Sequence, residues 1–137
     1  MEPGTCEIFS TTKRIFPSAR VLIVDDEALI RWSLSERLSN AGYEVCEAGD
    51  GTSALDYFRE GASRIDVVVL DVKLPDADGL DLLKQIRRMC PTCRVVLITA
   101  FGTLDMLQDA RDNGAYDMLR KPFNLDDMLQ TVERALL

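Results

Sequence analysis

The strongest constraint on the fold is a set of three short, wholly aliphatic runs that lie far apart in the chain. They are Val21–Val24, Val67–Leu70 and Val95–Ile98. Runs this short and this apolar are typical of β-strands that are buried on both faces. Such strands belong to parallel sheets with helices packed on both sides.

Apolar residues at helical spacing follow each run, and weaker strand patterns at residues 43–48 and 115–119 complete the series. The helical patterns cover residues 30–41, 55–58, 82–89, 104–110 and 125–136. Strands that alternate with helices must run parallel, and right-handed crossovers cover both faces of the sheet. The predicted fold class is therefore α/β: a flavodoxin-like, doubly wound, five-stranded parallel sheet of order 2-1-3-4-5 with helices on both faces.

The ends of several predicted helices carry their own signals. Gly42, Gly61 and Gly114 stand where the first, second and fourth helices are expected to stop. Asn124 stands where the fifth helix is expected to begin, as its N-cap. These signals support the same five strand–helix units.

A length of 137 residues fits one domain. We expect residues 1–19 to form an N-terminal tail and residues 20–137 to form the domain. No apolar run approaches the roughly 18 residues of a membrane span, and the first residues do not resemble a signal peptide. We therefore expect a cytoplasmic protein with no membrane partner, in which the four cysteines are reduced.

The charge of the chain excludes several classes of function. With 23 acidic and 16 basic residues, the net charge is −7 and the pI is about 4.6. Such a chain repels phosphate backbones, so we expect no direct binding of nucleic acid. The sequence has no histidine, which excludes His–carboxylate triads, His metal ligands and a phosphohistidine carrier within the chain.

Polar residues follow the predicted strands at the carboxyl edge of the sheet. Asp25–Glu27 follow the first strand, Asp71 ends the third, Thr99 ends the fourth, and Lys121 closely follows the fifth. Each alone is typical of a turn, a helix cap or a solvated surface. Because the ends of parallel strands meet at one edge, their joint placement instead predicts a site.

The chemistry of that site follows from its charges. Two like charges about 4 Å apart repel by ~1 kcal/mol in water and ~4 kcal/mol at an effective dielectric constant of 20. Clustered carboxylates therefore need a cation, and Mg²⁺ prefers oxygen ligands. Within this site, Asp71 can act as a carboxylate nucleophile toward phosphate, Thr99 can donate a hydrogen bond to a phosphoryl oxygen, and Lys121 can pair with it.

With these residues in these positions, the sequence resembles the receiver domain of bacterial two-component response regulators, from about residue 21 to residue 136. The resemblance is carried by Val21–Glu27, Leu70–Gly79, Ile98–Ala100 and Gly114–Phe123. It implies that Asp71 accepts a phosphoryl group from a phosphohistidine on a sensor histidine kinase.

The resemblance also implies the roles of the other site residues. Asp26 and Asp71 would bind Mg²⁺ directly, Asp25 would act through water, and the backbone carbonyl of Lys73 would be a further ligand. Thr99 would move toward the phosphoryl group and Lys121 would pair with it. The Lys121–Pro122 peptide bond would be cis.

The run Thr99–Thr103, together with the later Lys121–Phe123, is similar to the receivers of NtrC-like enhancer-binding activators. Those activators carry a downstream ATPase and a DNA-binding domain, so the expected output is transcription, through domains outside this chain. One position departs from the family, because Met118 stands where receivers commonly carry an aromatic switch residue. Tyr116 is two residues earlier and does not match that position.

The resemblance implies a signalling switch that catalyses only its own phosphoryl transfer and dephosphorylation. Phosphorylation would alter the face formed by the fourth helix, fifth strand and fifth helix, which could also form a homodimer. The alternative that stays open is a receiver-like interaction module that works without phosphorylation. A haloacid-dehalogenase-type phosphohydrolase is disfavoured because Lys73 replaces its second aspartate, and an FMN-binding flavodoxin because Asp25–Glu27 would repel the phosphate.

The Cys90–Cys93 pair has the spacing of a redox pair or of half a zinc site. With no second pair of this kind and no histidine, a zinc site within one chain lacks ligands. We interpret both cysteines as ordinary loop residues.

Overall fold

A computed structural model describes residues 19–59 and 64–137. Five strands and five helices alternate along this part of the chain. The strands are β1 (Arg20–Val24), β2 (Glu44–Ala48), β3 (Val67–Asp71), β4 (Arg94–Thr99) and β5 (Asp117–Arg120). The helices are α1 (Ala28–Asn40), α2 (Gly51–Arg59), α3 (Gly79–Met89), α4 (Leu104–Asp112) and α5 (Leu125–Leu136). Residues 1–18 of the predicted tail, including Cys6, and the predicted stop at Gly61 lie outside the described residues.

All five strands join one parallel sheet in the order β2-β1-β3-β4-β5, which confirms the predicted topology. The register places Val24 beside Leu70, and Asp71 beside Ile98. The last residues of β1, β3 and β4 therefore lie next to one another at one edge of the sheet. The order of the strands changes direction between β1 and β3, which is where ligands bind in open sheets of this kind.

Alternate residues of the three central strands point to opposite faces of the sheet, as strand geometry requires. Leu22, Val68 and Leu97 pack on the face covered by α2, α3 and α4. Val21, Val69 and Val96 pack on the face covered by α1 and α5. The three aliphatic runs are fully buried on both faces, which is why they carry no polar residue.

Backbone conformation and caps confirm most of the predicted helix ends. Gly42 and Gly114 have φ angles of 101° and 98°, a region that glycine enters at little cost. The Asn124 side chain accepts a hydrogen bond from the Asp126 amide at 2.7 Å. The weaker strands are shorter than their patterns suggested: β2 begins at Glu44, and β5 begins at Asp117.

Helix α4 is weakly anchored to the rest of the molecule. Ala110 is its only buried residue, and Leu104 is 85% exposed. The sequence pattern marked Leu104, Leu107 and Ala110 as one helical stripe, but only the C-terminal end of that stripe reaches the core. Few apolar contacts therefore hold this helix against the core.

The cysteines of the described chain, Cys46, Cys90 and Cys93, are free thiols. Cys90 caps the C-terminal end of α3, and Cys93 immediately precedes β4 with no exposed surface. Burial raises the pKa of the Cys93 thiol to about 12.

No helix of the described ranges is long and apolar enough to cross a membrane.

Candidate functional site

The carboxyl edge of the sheet opens into a cleft of about 920 Å³. Its walls come from the ends of β1, β3 and β4 and from the loops that follow them. The lining includes Asp26, Glu27, Asp71, Thr99 and Lys121, together with much of the loop at residues 72–78. The topology therefore gathers at one place the residues that the sequence had placed at four strand ends.

The Lys121 ammonium lies at the centre of the site and contacts three carboxylates. Its Nζ atom is 2.7 Å from Glu27 Oε1, 3.0 Å from Asp71 Oδ2 and 3.3 Å from Asp25 Oδ2. Burial opposes the charge of Lys121, but hydrogen bonds to Glu27 and Asp71 and the charges of Asp25 and Asp71 raise its pKa above the ordinary value. The ammonium is therefore held in its charged form.

Asp25 is a carboxylate with no exposed surface. Its Oδ1 atom accepts a hydrogen bond from the Glu27 amide at 2.9 Å. Its Oδ2 atom is near Lys121 but has no hydrogen-bond partner within the described part of the chain. Burial, reinforced by the charge of Asp71, raises the pKa of Asp25 to about 6. The site thus contains a buried oxygen whose negative charge is incompletely compensated.

Asp71 ends β3 and is only 4% exposed. Its Oδ1 atom accepts a hydrogen bond from the Lys73 amide at 3.0 Å, and its Oδ2 atom accepts one from Lys121 at 3.0 Å. The Val72 amide donates to the Ile98 carbonyl at 2.9 Å, which extends the pairing of β3 and β4 by one residue. These bonds fix the carboxylate at the floor of the cleft.

Three of the carboxylates lie close enough together to hold a cation. One oxygen each of Asp25, Asp26 and Asp71 lies within 4.8 Å of the others. Asp25 and Asp71 are buried and Asp26 is exposed, so the cluster is anchored in the core and open to solvent on one side. The unpartnered Asp25 oxygen and the all-oxygen donor set fit a hard divalent ion such as Mg²⁺.

Lys73, the remaining predicted ligand, lines the same cleft on the loop after β3. Its amide is bonded to Asp71, and the residue forms an isolated bridge with Asp78. Gly79, just beyond this bridge, donates from its amide to the Val72 carbonyl at 2.7 Å. A Cβ atom at Gly79 would lie 2.4 Å from the Val72 Cα atom, so the loop can close this tightly only around a glycine.

The Thr99 hydroxyl is directed toward its own loop. It accepts a hydrogen bond from the Phe101 amide at 3.1 Å, and Thr99 is 5% exposed. The Lys121 amide donates to the Thr99 carbonyl at 2.7 Å, which ties the two residues together through the backbone. The Lys121–Pro122 peptide bond is cis, as the resemblance implied.

Met118 lies close to this loop. A Cβ atom on Gly102 would be 3.4 Å from the Met118 methyl and 3.4 Å from the Thr99 methyl. Met118 is half-buried against the α2–α4 face of the core, whereas Tyr116 precedes β5 and is 38% exposed. The apolar side chain that β5 places beside this loop is therefore Met118, and Tyr116 lies outside the strand.

Sequence reasoning missed three contacts around the site. It grouped Glu27 with the acids of β1 without its pairing to Lys121. It gave no role to Arg31, which donates to the Asp25 carbonyl at 2.6 Å. It also overlooked Asp76, whose carboxylate accepts hydrogen bonds from the Gly51 and Thr52 amides at the start of α2. Only the three-dimensional fold brings these partners together.

Comparisons with known proteins agree with this geometry. A sequence model of the family described as "Response regulator receiver domain" matches residues 21–133. Sporulation initiation phosphotransferase F of Bacillus subtilis is 38% identical over 117 residues, which are 85% of this chain and 93% of that protein. The DNA-binding transcriptional regulator NtrC of Escherichia coli is 38% identical over 116 residues, which are 85% of this chain and 24% of NtrC. This chain therefore spans about a quarter of NtrC.

A solved structure gives the same result. The solution structure of the beryllofluoride-activated NtrC4 receiver domain dimer superposes with a TM-score of 0.80 at 38% identity. The match covers 85% of this chain and 95% of that one. The predicted likeness to NtrC receivers is thereby confirmed.

Proposed function

This chain belongs to the response regulator receiver domain family of two-component signalling, and from this we propose that Asp71 is its phosphoacceptor. The observation that carries the proposal is the contact of Lys121 with Asp71 at 3.0 Å beside the Asp25–Asp26–Asp71 oxygen cluster. A nearly buried carboxylate with a fixed ammonium and a cation site beside it is suited to phosphoryl transfer.

In the proposed reaction, an Asp71 carboxylate oxygen attacks the phosphorus atom of a phosphohistidine on a sensor histidine kinase. The new O–P bond forms as the N–P bond breaks, and the electron pair of that bond stays on the imidazole nitrogen. Lys121 pairs with a phosphoryl oxygen and Thr99 donates a hydrogen bond to another. Attack of water on the phosphorus of the acyl phosphate breaks the O–P bond, releases inorganic phosphate and regenerates the Asp71 carboxylate, so the protein catalyses only changes of its own state.

Mg²⁺ would neutralise negative charge on the phosphoryl oxygens. We propose that Asp26 and Asp71 bind it directly, Asp25 acts through water, and the Lys73 backbone carbonyl completes the protein ligands. The donor set supports this assignment, because the three carboxylates carry more negative charge than Lys121 alone can offset.

The proposed output surface is the face formed by α4, β5 and α5. For Thr99 to reach a phosphoryl oxygen, its bond to the Phe101 amide must break, which releases the loop before α4. Because α4 is held in the core only by Ala110, that helix can repack at small cost in free energy. We propose that Met118 accompanies this change as a flexible apolar side chain.

The proposed partners follow from the family and from the relatives. A sensor histidine kinase supplies the phosphoryl group, and a homodimer forms through the α4–β5–α5 face. NtrC suggests a downstream output domain that regulates transcription, with no direct contact between residues 20–137 and nucleic acid. The proposed organisation is a tail of residues 1–19 and a receiver of residues 20–137, in the cytoplasm, where such a kinase and Mg²⁺ are present.

The decisive experiment is phosphorylation by acetyl phosphate with intact-mass measurement. We expect a labile adduct of one phosphoryl group that requires Mg²⁺, is cleaved by hydroxylamine, and is absent from Asp71→Asn. An adduct of equal yield in Asp71→Asn, or one that resists hydroxylamine, would contradict the assignment. If wild-type protein forms no adduct under these conditions, the phosphorylation-independent interaction module replaces it.

A further inference from the structure

Contacts within α1 do not explain where the Glu27 side chain lies in the site. It occupies the N-cap position of α1, but its side chain makes no capping hydrogen bond to that helix. Its carboxylate instead lies 2.7 Å from Lys121, at a sequence separation of 94 residues. Acids at helix N-termini commonly stabilise the first turn, so here the side chain gives up that contact for the ammonium.

Glu27 also differs from the other two carboxylates on Lys121. Asp25 and Asp71 belong to the oxygen cluster that fits a cation, and among the described residues that cluster does not include Glu27. The Glu27 side chain is 58% exposed, whereas those of Asp25 and Asp71 are almost completely buried. Glu27 is therefore able to leave Lys121 without opening the core.

We propose that Glu27 is a positioning residue that competes with the incoming phosphoryl group for Lys121. In the resting site it completes the coordination of the ammonium. During transfer Lys121 must turn to a phosphoryl oxygen, so Glu27 must release it, and its charge repels an anionic donor. Glu27 would thus restrain phosphorylation by small anionic phosphodonors. This inference rests on the proposed function of Asp71.

The position of Glu27 between two concave surfaces supports this role. Glu27 and Lys121 line both the phosphorylation cleft and an adjoining groove of about 470 Å³, which is largely apolar and includes Leu29 and Phe123. A small donor that enters the cleft meets the Glu27 carboxylate at the rim. The Glu27 charge therefore lies at the entrance of the cleft. It does not lie at the floor of the cleft beside Asp71.

The test compares Glu27→Gln with Glu36→Gln in the full chain. Glu36 is an exposed residue of the same helix, so both variants change the net charge equally. We expect Glu27→Gln to raise the initial rate of Mg²⁺-dependent phosphorylation by acetyl phosphate about fivefold at low ionic strength, the factor that corresponds to roughly 1 kcal/mol for a nearby unit charge in water. Added salt should shrink the gain.

A second measurement separates positioning from a general charge effect. In NMR spectra at neutral pH, the Lys121 ammonium protons should exchange with water faster in Glu27→Gln than in wild type, because the 2.7 Å hydrogen bond to Glu27 is lost, and Glu36→Gln should show no change. Equal rates in the two variants, or slower phosphorylation of Glu27→Gln, would overturn the inference while leaving Asp71 as the acceptor. Absence of any adduct in wild type would instead overturn the function on which it rests.

Discussion

At the scale of single residues, the site combines one ammonium with four carboxylates. Lys121 contacts Asp25, Glu27 and Asp71, and Asp26 completes the cation cluster at the rim. The adjacent residues Asp25 and Asp26 differ sharply, because Asp25 is fully buried and Asp26 is exposed. The sequence placed both aspartates at the end of β1 but did not show which one carries the cost of burial.

The buried carboxylate predicts how stability depends on pH. The pKa of Asp25 rises from 3.8 to about 6 on folding, so the folded protein binds this proton more tightly than the unfolded chain. The free energy of unfolding therefore falls as pH rises through this window, by at most ~3 kcal/mol from this group. In the presence of EDTA, Asp25→Asn should raise Tm at pH 7.5, and this gain should vanish near pH 4.

Asp26→Asn is the matched control for that prediction. Its carboxylate is exposed, so we expect little change in metal-free Tm at either pH. Both substitutions should reduce the rise in Tm that Mg²⁺ causes in wild type. Thermal unfolding followed by circular dichroism measures all of these effects. If metal-free Asp25→Asn were less stable than wild type at pH 7.5, this would contradict the free-energy cost that we assign to burial of the charged Asp25 carboxylate.

At Gly79, neighbouring backbone atoms leave no room for a side chain. A Cβ atom there would approach the Val72 carbonyl oxygen to 2.6 Å. We expect Gly79→Ala to reduce the free energy of unfolding by about 1–3 kcal/mol, measured by urea denaturation. Gly49→Ala is the control, since its Cβ would meet only the flexible end of Arg31 at 3.4 Å. Equal losses in the two variants would contradict this explanation.

At the scale of elements, Asp76 links the loop after β3 to the start of α2. Its two carboxylate oxygens accept hydrogen bonds from the Gly51 amide at 2.7 Å and from the Thr52 amide at 3.1 Å. Asp50 caps the same helix locally, through the Ser53 amide at 2.8 Å. One helix therefore has a local cap and a second cap supplied by the loop that follows Asp71 and carries Lys73.

These two caps predict different effects on the site. Asp76→Ala and Asp50→Ala should both lower Tm because each leaves amides at the start of α2 without a partner. Only Asp76→Ala should also weaken Mg²⁺ binding, by a few-fold, because only Asp76 tethers the loop after β3. The Mg²⁺ dependence of Tm gives the affinity of each variant. An unchanged affinity in Asp76→Ala would show that the tether does not reach the cation site.

The same elements show how far the sequence could predict the fold. The three aliphatic runs fixed the central strands because burial on both faces admits no polar residue. The α5 pattern was right only in part: the prediction used Leu125, Leu129, Val132 and Leu136, of which Val132 alone is buried, whereas the most buried residues are Met128, Thr131, Val132 and Ala135. Neighbouring stripes on a helix have the same period, so packing against the sheet decides which stripe faces inward.

At the scale of the whole molecule, the topology of the sheet brings the predicted site residues together. No motif in the sequence links one of these residues to another. The strand order and parallel pairing suffice to bring Asp25, Asp71 and Thr99 to one edge of the sheet. The contacts of Glu27, Arg31 and Asp76 depend on side-chain paths across the molecule. Such contacts have no periodic pattern, so a single sequence could not reveal them.

The exposed apolar residues predict an interface for assembly. Phe101, in the loop before α4, and Leu104, the first residue of α4, are 77% and 85% exposed. With beryllofluoride and Mg²⁺ we expect wild type to dimerise, as measured by size-exclusion chromatography with light scattering. Leu104→Asp should prevent dimerisation without lowering Tm. Leu29→Asp, at a 74% exposed position of α1, should dimerise like wild type. A monomeric wild type, or equal loss in both variants, would exclude this face as the interface.

Because Cys93 is fully buried, the rate at which its thiol is alkylated can measure how often the folded chain opens. With no exposed surface and a thiol pKa of about 12, this cysteine cannot react with iodoacetamide until the structure around β4 transiently separates. In a variant whose other cysteines are replaced by serine, the alkylation rate would therefore measure how often the native protein opens locally around β4.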